Sequence, residues 1–306
     1  MDSMTPLQKI LICSDLDRTI IPNGYQDESV HARPVLRRLA DHPQIYLAYV
    51  SGRNRKLIFD AIEEYYLPIP DYAIGDVGTT FYRVIDGDWQ SSEDWSDEIA
   101  QDWKGLSWEG LSEFFEDIED LRLQEPEKQN KHKLSFYADQ NVVQQQLMKK
   151  IHLTLAGKGV RASIIWSVDE INAIGLLDVI PARASKLHAI QFLMQQEQFS
   201  AGRTVFAGDS GNDLDVLTSG LQAILVNNAT DEVRKEAVER LPDQLRSNCL
   251  YLPEGNFYGM NGNYAAGLIE GLVHFIPETE GLVARAMRKS NKLLDGGPHN
   301  LTLKFG

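Results

Sequence analysis

The sequence predicts an α/β protein with a doubly wound, mainly parallel sheet and a second, smaller α+β domain inserted into it. Three observations predict this class. Short apolar runs alternate with amphipathic segments early in the chain, the same alternation returns later, and the stretch between them has a different composition. The alternation is typical of parallel sheets, because consecutive parallel strands need a crossover segment between them.

The first quarter of the chain contains three strand-like runs, at 9–16, 45–52 and 71–78. Each run is short and rich in apolar residues, as expected of strands that are covered on both faces. The segments at 31–42 and 55–66 carry apolar residues three and four positions apart, which predicts helices between the strands. The resulting order of strands and helices indicates a Rossmann-like sheet with helices on both faces.

The same order returns in the last third of the chain. A helical segment covers 186–198, a strand followed by a turn covers 204–211, and another strand covers 222–229. A predominantly apolar helix at 262–275 is predicted to close this half of the sheet domain.

The middle of the chain differs from both halves. Residues 85–132 hold four of the five tryptophans together with many acidic residues, and they include helical stretches. A strand at 133–139, a helix at 142–156 and a strand at 160–167 follow. We therefore predict a small α+β unit, in which most of these aromatic side chains serve core packing and stacking on a ligand is the alternative.

The predicted domain division has three parts. The sheet domain comprises 1–84 and 177–280, the inserted domain comprises 85–176, and 281–306 form a C-terminal extension. The extension reads as a basic helix, a Gly-Gly-Pro turn and a short tail, and the sequence assigns it no function.

Composition narrows the classes of function. The chain has 306 residues, ordinary hydrophobic and charged shares of 43% and 24%, and a formal net charge of −14. Nucleic acids and anionic membranes are not expected partners, because both require a basic surface. Cys13 and Cys249 form no Cys-x-x-Cys pair and are interpreted as reduced thiols. We see no secretory signal and no apolar stretch of bilayer length, so the cytoplasm is the expected location.

Polar residues follow the predicted sheet strands at the points where these strands end. The three groups are Ser14, Asp15, Asp17 and Thr19; Ser51-Gly52-Arg53; and Gly208-Asp209-Ser210-Gly211-Asn212-Asp213. Ligands bind outside the carboxyl ends of parallel strands, so we expect the three groups to meet at one edge of the sheet.

Asp15 and Asp17 place two like charges at the end of an apolar strand, and something must offset their repulsion. A metal ion, a charged substrate or water at an exposed strand end would each suffice. Asp and Thr are also ordinary turn residues, and Asp213 could simply cap a helix, so a structural use remains open for each motif taken alone.

Four motifs taken together, in this order, resemble the haloacid dehalogenase superfamily of phosphotransferases. They are DLDRT (15–19), SGR (51–53), SK (185–186) and GDSGND (208–213). The inserted domain resembles the larger α/β cap, type C2, of the subgroup that acts on sugar phosphates. Over residues 8–276 the chain resembles the branch of the sucrose-phosphate phosphatases. The segments that carry this second resemblance are IYLAYVSGR, PDYAIGDVGTTFY, DWSDEIAQDW, KLSFYAD, LLDVIPARASK and FAGDSGND.

The resemblance implies a role for each motif residue. Asp15 would be the nucleophile, since a carboxylate can attack phosphorus, and Asp17 the general acid and base. Mg²⁺ would be the cofactor, held by Asp15, the backbone carbonyl of Asp17, Asp209 and, as an additional ligand, Asp213. The residues implied to bind phosphate are Thr19, Ser51, Gly52, Lys186 and Asn212. Lys133 and Asp178 of the cap are implied to face the sugar.

The function implied is a Mg²⁺-dependent phosphatase for a disaccharide phosphate, with sucrose 6-phosphate as the first candidate. Another glycosyl phosphate, such as mannosylfructose phosphate or a glycosylglycerol phosphate, is the alternative substrate. A non-catalytic partner of the glycosyltransferase that makes the substrate is the alternative from another class. We expect a small-molecule sugar phosphate as the ligand, association with that glycosyltransferase as an open option, and a monomer.

Overall fold

A computed structural model of the chain describes residues 8–139, 142–169, 172 and 174–295. The strands are β1 (Ile10–Ser14), β2 (Ile45–Val50), β3 (Tyr72–Gly75), β4 (Thr80–Ile85), β5 (Asp88–Ser91), β6 (Leu121–Leu123), β7 (Leu134–Ala138), β8 (Ala162–Asp169), β9 (Ile174–Pro181), β10 (Thr204–Gly208), β11 (Gln222–Leu225) and β12 (Leu250–Tyr251). The helices are α1 (Ala32–Ala40), α2 (Arg55–Tyr65), α3 (Glu93–Ala100), α4 (Trp108–Ser112), α5 (Gln144–Gly157), α6 (Lys186–Glu197), α7 (Leu214–Leu217), α8 (Asp231–Arg240), α9 (Asp243–Cys249), α10 (Ala265–Phe275) and α11 (Glu280–Asp295). Among these described helices, none is both long enough and apolar enough to cross a membrane.

The chain divides into two compact units. Within the described residues, the first unit comprises 8–51, 56–72 and 193–295, and the second comprises 52–55 and 73–192. The mainly parallel sheet and the separate antiparallel sheet confirm the predicted fold class. The three-part division predicted from the sequence stays a prediction.

The first unit contains five parallel strands in the order β12-β11-β10-β1-β2. Ser14, the last residue of β1, pairs with Ala207 of β10 on one side and with Tyr49 of β2 on the other. Because the strands are parallel and in this register, the loops that follow β1, β2 and β10 leave the sheet at the same edge.

Helices cover the strands of the first unit closely. β1 is completely buried, and burial raises the pKa of the Cys13 thiol far above its usual range. Cys13 and Cys249 are both free, as expected for reduced thiols. The nearly wholly buried α10 packs against β10 and β11, and a Cβ at its Gly271 would lie 2.4 Å from a side-chain atom of Ile224. Glycine at this position therefore allows the helix to approach the sheet.

The C-terminal extension contributes to the first unit as far as it is described. α11 packs against α1 and buries Val283, Ala286 and Met287. The ring nitrogen Nδ1 of His31 lies 3.0 Å from the hydroxyl of Ser290. The part of the extension up to Ser290 thus packs against α1, whereas 296–306 lie outside the described residues.

The second unit holds a four-stranded antiparallel sheet in the order β6-β7-β9-β8, and its β4 pairs antiparallel with β5. The inner face of the four-stranded sheet shares a hydrophobic core with α5, which includes Phe136, Leu177 and Ile151. Trp95 and Trp103 are 1% and 0% exposed, in agreement with the expectation that most of these aromatic side chains serve packing.

The predicted elements are present, but several boundaries differ. The strands predicted at 9–16 and 71–78 end already at Ser14 and Gly75, because the polar residues that follow adopt turn conformations. The β4–β5 hairpin, β6, β12, α8 and α9 carry weaker patterns and were not predicted.

Candidate active site

The loop after β1 is a tight turn. The carbonyl oxygen of Leu16 accepts hydrogen bonds from the backbone N–H groups of Thr19, Ile20 and Ile21. The strand therefore ends at Ser14 and does not continue through Asp17. The carboxylate of Asp17 is instead held by Asn23, whose Nδ2 donates to Asp17 Oδ1 at 2.7 Å.

The loop after β10 places two more carboxylates. Asp213 Oδ2 accepts from the backbone N–H groups of Asp209 and Ser210 at 3.1 Å, and from the Ser210 hydroxyl at 3.2 Å. A Cβ at Gly208 would lie 2.6 Å from Cγ of Asp213, so glycine is required for this carboxylate to fold under the turn. Asp213 therefore forms a capping box with Ser210 in the turn before α7, which is a structural use of the kind raised from the sequence, although its side chain does not cap α7 itself.

The two loops bring three carboxylates together. One oxygen from each of Asp15, Asp209 and Asp213 lies within 4.8 Å of the other two, and these residues are 5%, 4% and 0% exposed. Thr19 helps to orient the cluster, because its hydroxyl donates to Asp209 Oδ1 at 3.2 Å. Buried carboxylates at this spacing repel one another without a cation, and an all-oxygen donor set suits a hard divalent ion. We refer to these three residues as the acidic triad.

A cation of the chain itself lies beside the triad. Nε of Arg18 is 3.5 Å from Asp209 Oδ2. The backbone carbonyl of Arg18 accepts from Asn228 Nδ2 at 2.6 Å, and its N–H donates to Asn23 Oδ1 at 2.8 Å. The sequence analysis assigned no role to the side chains of Arg18, Asn23 and Asn228. Arg18 could have been noticed from its position inside the DLDRT motif, whereas asparagine is too common in turns to provide a signal.

The remaining residues predicted to bind phosphate in the first unit differ in their surroundings. Ser51 directly follows β2 and is 1% exposed, whereas Asn212 is exposed and accepts a hydrogen bond from Ser210 through Oδ1. The backbone N–H groups of Asp15, Arg18 and Thr19 donate to protein acceptors. These three N–H groups are therefore already engaged within the described part of the chain. Phosphate binding by Thr19, Ser51 and Asn212 stays a prediction.

Two predicted phosphate-binding residues belong to the second unit. Gly52 precedes α2, and a Cβ built on it would meet nothing within 4 Å. Lys186 is the first residue of α6 and is 6% exposed. A lysine this deeply buried requires polar surroundings, which is consistent with the predicted role but leaves it a prediction.

The predicted sugar-facing residues lie on neighbouring segments of the second unit. Lys133 immediately precedes β7, and its Nζ is 3.3 Å from Asp76 Oδ1 in a largely buried ion pair. Asp178 lies on β9 and accepts a hydrogen bond from the Ser135 hydroxyl at 2.5 Å. Asp76 was not singled out from the sequence, although it directly follows the observed strand β3 in the same way as Asp15 follows β1.

The backbone around Asp76 and Lys133 is held firmly. Asp76 has a positive φ of 49°, and its N–H donates to the carbonyl of Arg53 at 2.9 Å. Asn130 donates through Nδ2 to the Thr79 hydroxyl at 2.8 Å. Burial lowers the pKa of His132 to about 4, so the ring beside Lys133 is neutral at physiological pH. Lys133 therefore emerges from an anchored loop, as a residue that selects a ligand should.

Comparison with known proteins identifies the family. The family model for sucrose-6F-phosphate phosphohydrolase matches residues 8–276. A HAD-like hydrolase of Nitrosococcus oceani is 58% identical over 283 residues, which are 92% of this chain and 76% of that protein. The mannosylfructose-phosphate phosphatase of Agrobacterium fabrum is 25% identical over 273 residues, which cover 89% of this chain and 98% of that protein.

A solved structure supports the same fold. The sucrose-phosphatase of Synechocystis, determined in complex with sucrose and phosphate, matches with a TM-score of 0.65 and 23% identity, over 88% of this chain and 98% of that chain. The chain spans 61% of the length of two plant sucrose-phosphatases that it also matches. Because the family model covers most of the chain, the protein belongs to the sucrose-6F-phosphate phosphohydrolase family of haloacid dehalogenase-like hydrolases and is a phosphatase of phosphoric monoesters.

Proposed function

We propose that this protein is a Mg²⁺-dependent phosphatase that hydrolyses a disaccharide phosphate, with sucrose 6-phosphate as the first candidate. The observation that carries the proposal is the acidic triad. Asp15, Asp209 and Asp213 are buried together at the edge of the sheet, and Asp17, two residues beyond Asp15, is a fourth carboxylate of the same loops. An arrangement of this kind suits metal-assisted transfer of a phosphoryl group, which needs a nucleophile, a cation and a proton donor.

Asp15 is the proposed nucleophile. Its carboxylate oxygen attacks the phosphorus atom, a new oxygen–phosphorus bond forms, and the bond from phosphorus to the sugar oxygen breaks. Asp15 directly follows the buried β1, and its N–H donates to the carbonyl of Ala207 at 3.0 Å. This backbone contact with the neighbouring strand fixes the position of the nucleophile, which favours a defined line of attack.

Asp17 is the proposed general acid and base. In its protonated form it gives a proton to the departing sugar oxygen, and as a carboxylate it then takes a proton from the water that attacks the aspartyl phosphate. Phosphate leaves and the Asp15 carboxylate is restored. The hydrogen bond from Asn23 Nδ2 to Asp17 Oδ1, 2.7 Å long, restricts the orientation of Asp17 for both proton transfers.

Mg²⁺ fits the donor set of the triad. The candidate ligands are the carboxylates of Asp15 and Asp209, the backbone carbonyl of Asp17 and, as an additional ligand, Asp213. When bound, the ion would supply positive charge to the transferring phosphoryl group. Three buried carboxylate oxygens within 4.8 Å, with no histidine or cysteine in the cluster, favour a hard cation that prefers oxygen.

The second unit is the proposed source of sugar specificity. The triad and its surrounding loops can recognise a phosphoryl group, but they cannot distinguish one sugar from another. Lys133 and Asp178 offer a cation and a carboxylate on anchored segments. Family membership favours sucrose 6-phosphate, whereas the match to a mannosylfructose-phosphate phosphatase over 98% of its length supports mannosylfructose phosphate as the second candidate. Membership of a phosphatase family does not support a purely non-catalytic partner of a glycosyltransferase.

A phosphate-release screen tests the substrate. Purified protein with Mg²⁺ would be offered sucrose 6-phosphate, mannosylfructose phosphate, glucosylglycerol phosphate, glucose 6-phosphate and p-nitrophenyl phosphate. We expect kcat/KM for one disaccharide phosphate to exceed that for the monosaccharide and the aryl ester by roughly a hundredfold, because the smaller substrates make fewer hydrogen bonds with the polar groups of the cap. Equal rates on all five compounds would contradict the proposed specificity.

Lys133→Ala tests the contribution of the cap. We expect kcat/KM for the true disaccharide phosphate to fall roughly tenfold or more, through loss of one charge-assisted hydrogen bond. The rate with p-nitrophenyl phosphate should scarcely change, because this ester is too small to meet the cap. Steady-state kinetics on the two substrates measure the difference.

Lys131→Ala is the matched control for this prediction. Lys131 is two positions away on the same loop, but it is exposed and donates to the Ser96 hydroxyl. The control should leave kinetics with both substrates near wild type. An equal loss with both substrates in Lys133→Ala would move this residue from sugar recognition to catalysis or folding, and no loss with either would remove it from the site.

A further inference from the structure

Arg18 lies within the proposed catalytic loop, between the general acid Asp17 and the triad's neighbour Thr19. Its Nε is 3.5 Å from Oδ2 of Asp209, and its side chain is 37% exposed. A guanidinium is always charged at physiological pH. Arg18 therefore adds a permanent positive charge directly to the acidic triad.

The backbone of Arg18 is held in a conformation that residues with a Cβ rarely adopt. Its φ is +57°, in the left-handed region. Its N–H donates to Asn23 Oδ1 at 2.8 Å and its carbonyl accepts from Asn228 Nδ2 at 2.6 Å. Because side-chain amides hold the peptide groups on both sides of the residue, the chain maintains this geometry against its intrinsic preference. These two hydrogen bonds therefore fix the backbone from which the guanidinium group of Arg18 extends.

The ion pair leaves one hydrogen-bonding group unused. Nε of Arg18 is buried, yet it has no hydrogen-bond acceptor among the described residues, since the contact with Asp209 lacks hydrogen-bond geometry. A buried donor without an acceptor is unfavourable, and an oxygen of a bound ligand would satisfy this N–H group. The anionic oxygen of a phosphoryl group is an acceptor of the kind that guanidinium groups prefer.

Counting charges suggests what Arg18 does. The triad carries three negative charges, and a divalent cation leaves one of them uncompensated. A phosphate dianion would approach that remaining negative charge, whereas the guanidinium of Arg18 offsets it, so that the triad, a divalent cation and Arg18 together carry no formal net charge. The same positive charge must repel a divalent cation that binds a few ångströms away, so its two effects have opposite signs.

We propose that Arg18 is a charge-balancing residue of this centre, which weakens the binding of the divalent cation and strengthens the binding of the phosphoryl group. The inference rests on the proposed function, because it assumes that the triad holds a cation during phosphoryl transfer. The effect of Arg18 on the affinities for the cation and for phosphate can be measured by binding experiments, without turnover.

The test compares Arg18→Asn with Arg18→Lys. Asparagine removes the charge and tolerates a positive φ, whereas lysine keeps the charge. Mn²⁺ binding would be measured by electron paramagnetic resonance, and binding of inorganic phosphate at saturating Mn²⁺ by calorimetry. For Arg18→Asn we expect Mn²⁺ to bind roughly tenfold more tightly and phosphate roughly tenfold more weakly. Arg18→Lys should keep Mn²⁺ affinity within about threefold of wild type.

Arg240→Asn is the control with the same substitution. Arg240 pairs with Asp215 at 3.6 Å on an exposed surface, and both constants should stay at the wild-type values. Unchanged constants in Arg18→Asn, or a weakening of both, would overturn the inference, because damage to the loop would impair both ligands alike. Failure of the wild type to bind Mn²⁺ would overturn it as well. Wild-type protein that binds both ligands but hydrolyses no sugar phosphate would refute the proposed function and leave the Arg18 inference standing.

Discussion

Asp15→Asn is expected to lower kcat by about four orders of magnitude or more, because the amide has nearly the same shape as the carboxylate but is not nucleophilic. The fold should persist. Asp15 is 5% exposed within a cluster of like charges, so removal of its charge relieves repulsion. The melting temperature in the presence of chelator should therefore equal or exceed that of wild type. Phosphate release from the preferred sugar phosphate measures turnover, and calorimetry measures the melting temperature.

Asp60→Asn is the matched control for the nucleophile. Asp60 is an exposed carboxylate on α2, paired with Lys56, and its replacement should leave turnover unchanged. Trapping with beryllofluoride gives an independent readout, since the wild type should form an adduct and Asp15→Asn should not. Phosphate release by Asp15→Asn within tenfold of wild type would exclude a covalent aspartyl phosphate.

Asp209→Ala should raise the Mg²⁺ concentration needed for half-maximal activity by roughly a hundredfold or more, or abolish activity altogether. The change removes one of three triad carboxylates and also leaves the Thr19 hydroxyl and the Arg18 guanidinium without their partner. Excess chelator should abolish activity of the wild type, and added Mg²⁺ should restore it. Titration of phosphate release against Mg²⁺ measures both effects.

Asp215→Ala controls for a general effect of lost negative charge near this loop. Asp215 belongs to α7, only six residues beyond Asp209, but it is exposed and pairs with Arg240. Its loss should leave the Mg²⁺ requirement unchanged. Full activity of the wild type in excess chelator would rule out a metal-dependent reaction at the triad.

Much of the architecture could be predicted because it depends on local pattern. Buried parallel strands need continuous apolar runs, and the helices between them need an apolar stripe, so the alternation at 9–78 and 186–275 predicted a sheet that the structure contains. The predicted family was also confirmed, because a few motifs at strand ends are specific when they occur in order. Strand ends were predicted less well, since hydrogen bonds within a turn compete there with the strand ladder, as at Leu16.

The sequence by itself determined that Asp15 and the 208–213 motif follow strands of one parallel sheet, and therefore lie at a common edge. Only the tertiary structure decided which side chains touch. Thr19 and Asp209 are 190 positions apart, and Arg18 and Asn228 are 210 positions apart, yet both pairs form hydrogen bonds. Such contacts depend on strand register and on side-chain rotamers that are set by packing. Neither of these produces a periodic pattern in the sequence. The pairing of Lys133 with Asp76 depends on loop conformations in the same way. One of these is the positive φ of Asp76, which no pattern of residues in the sequence predicts.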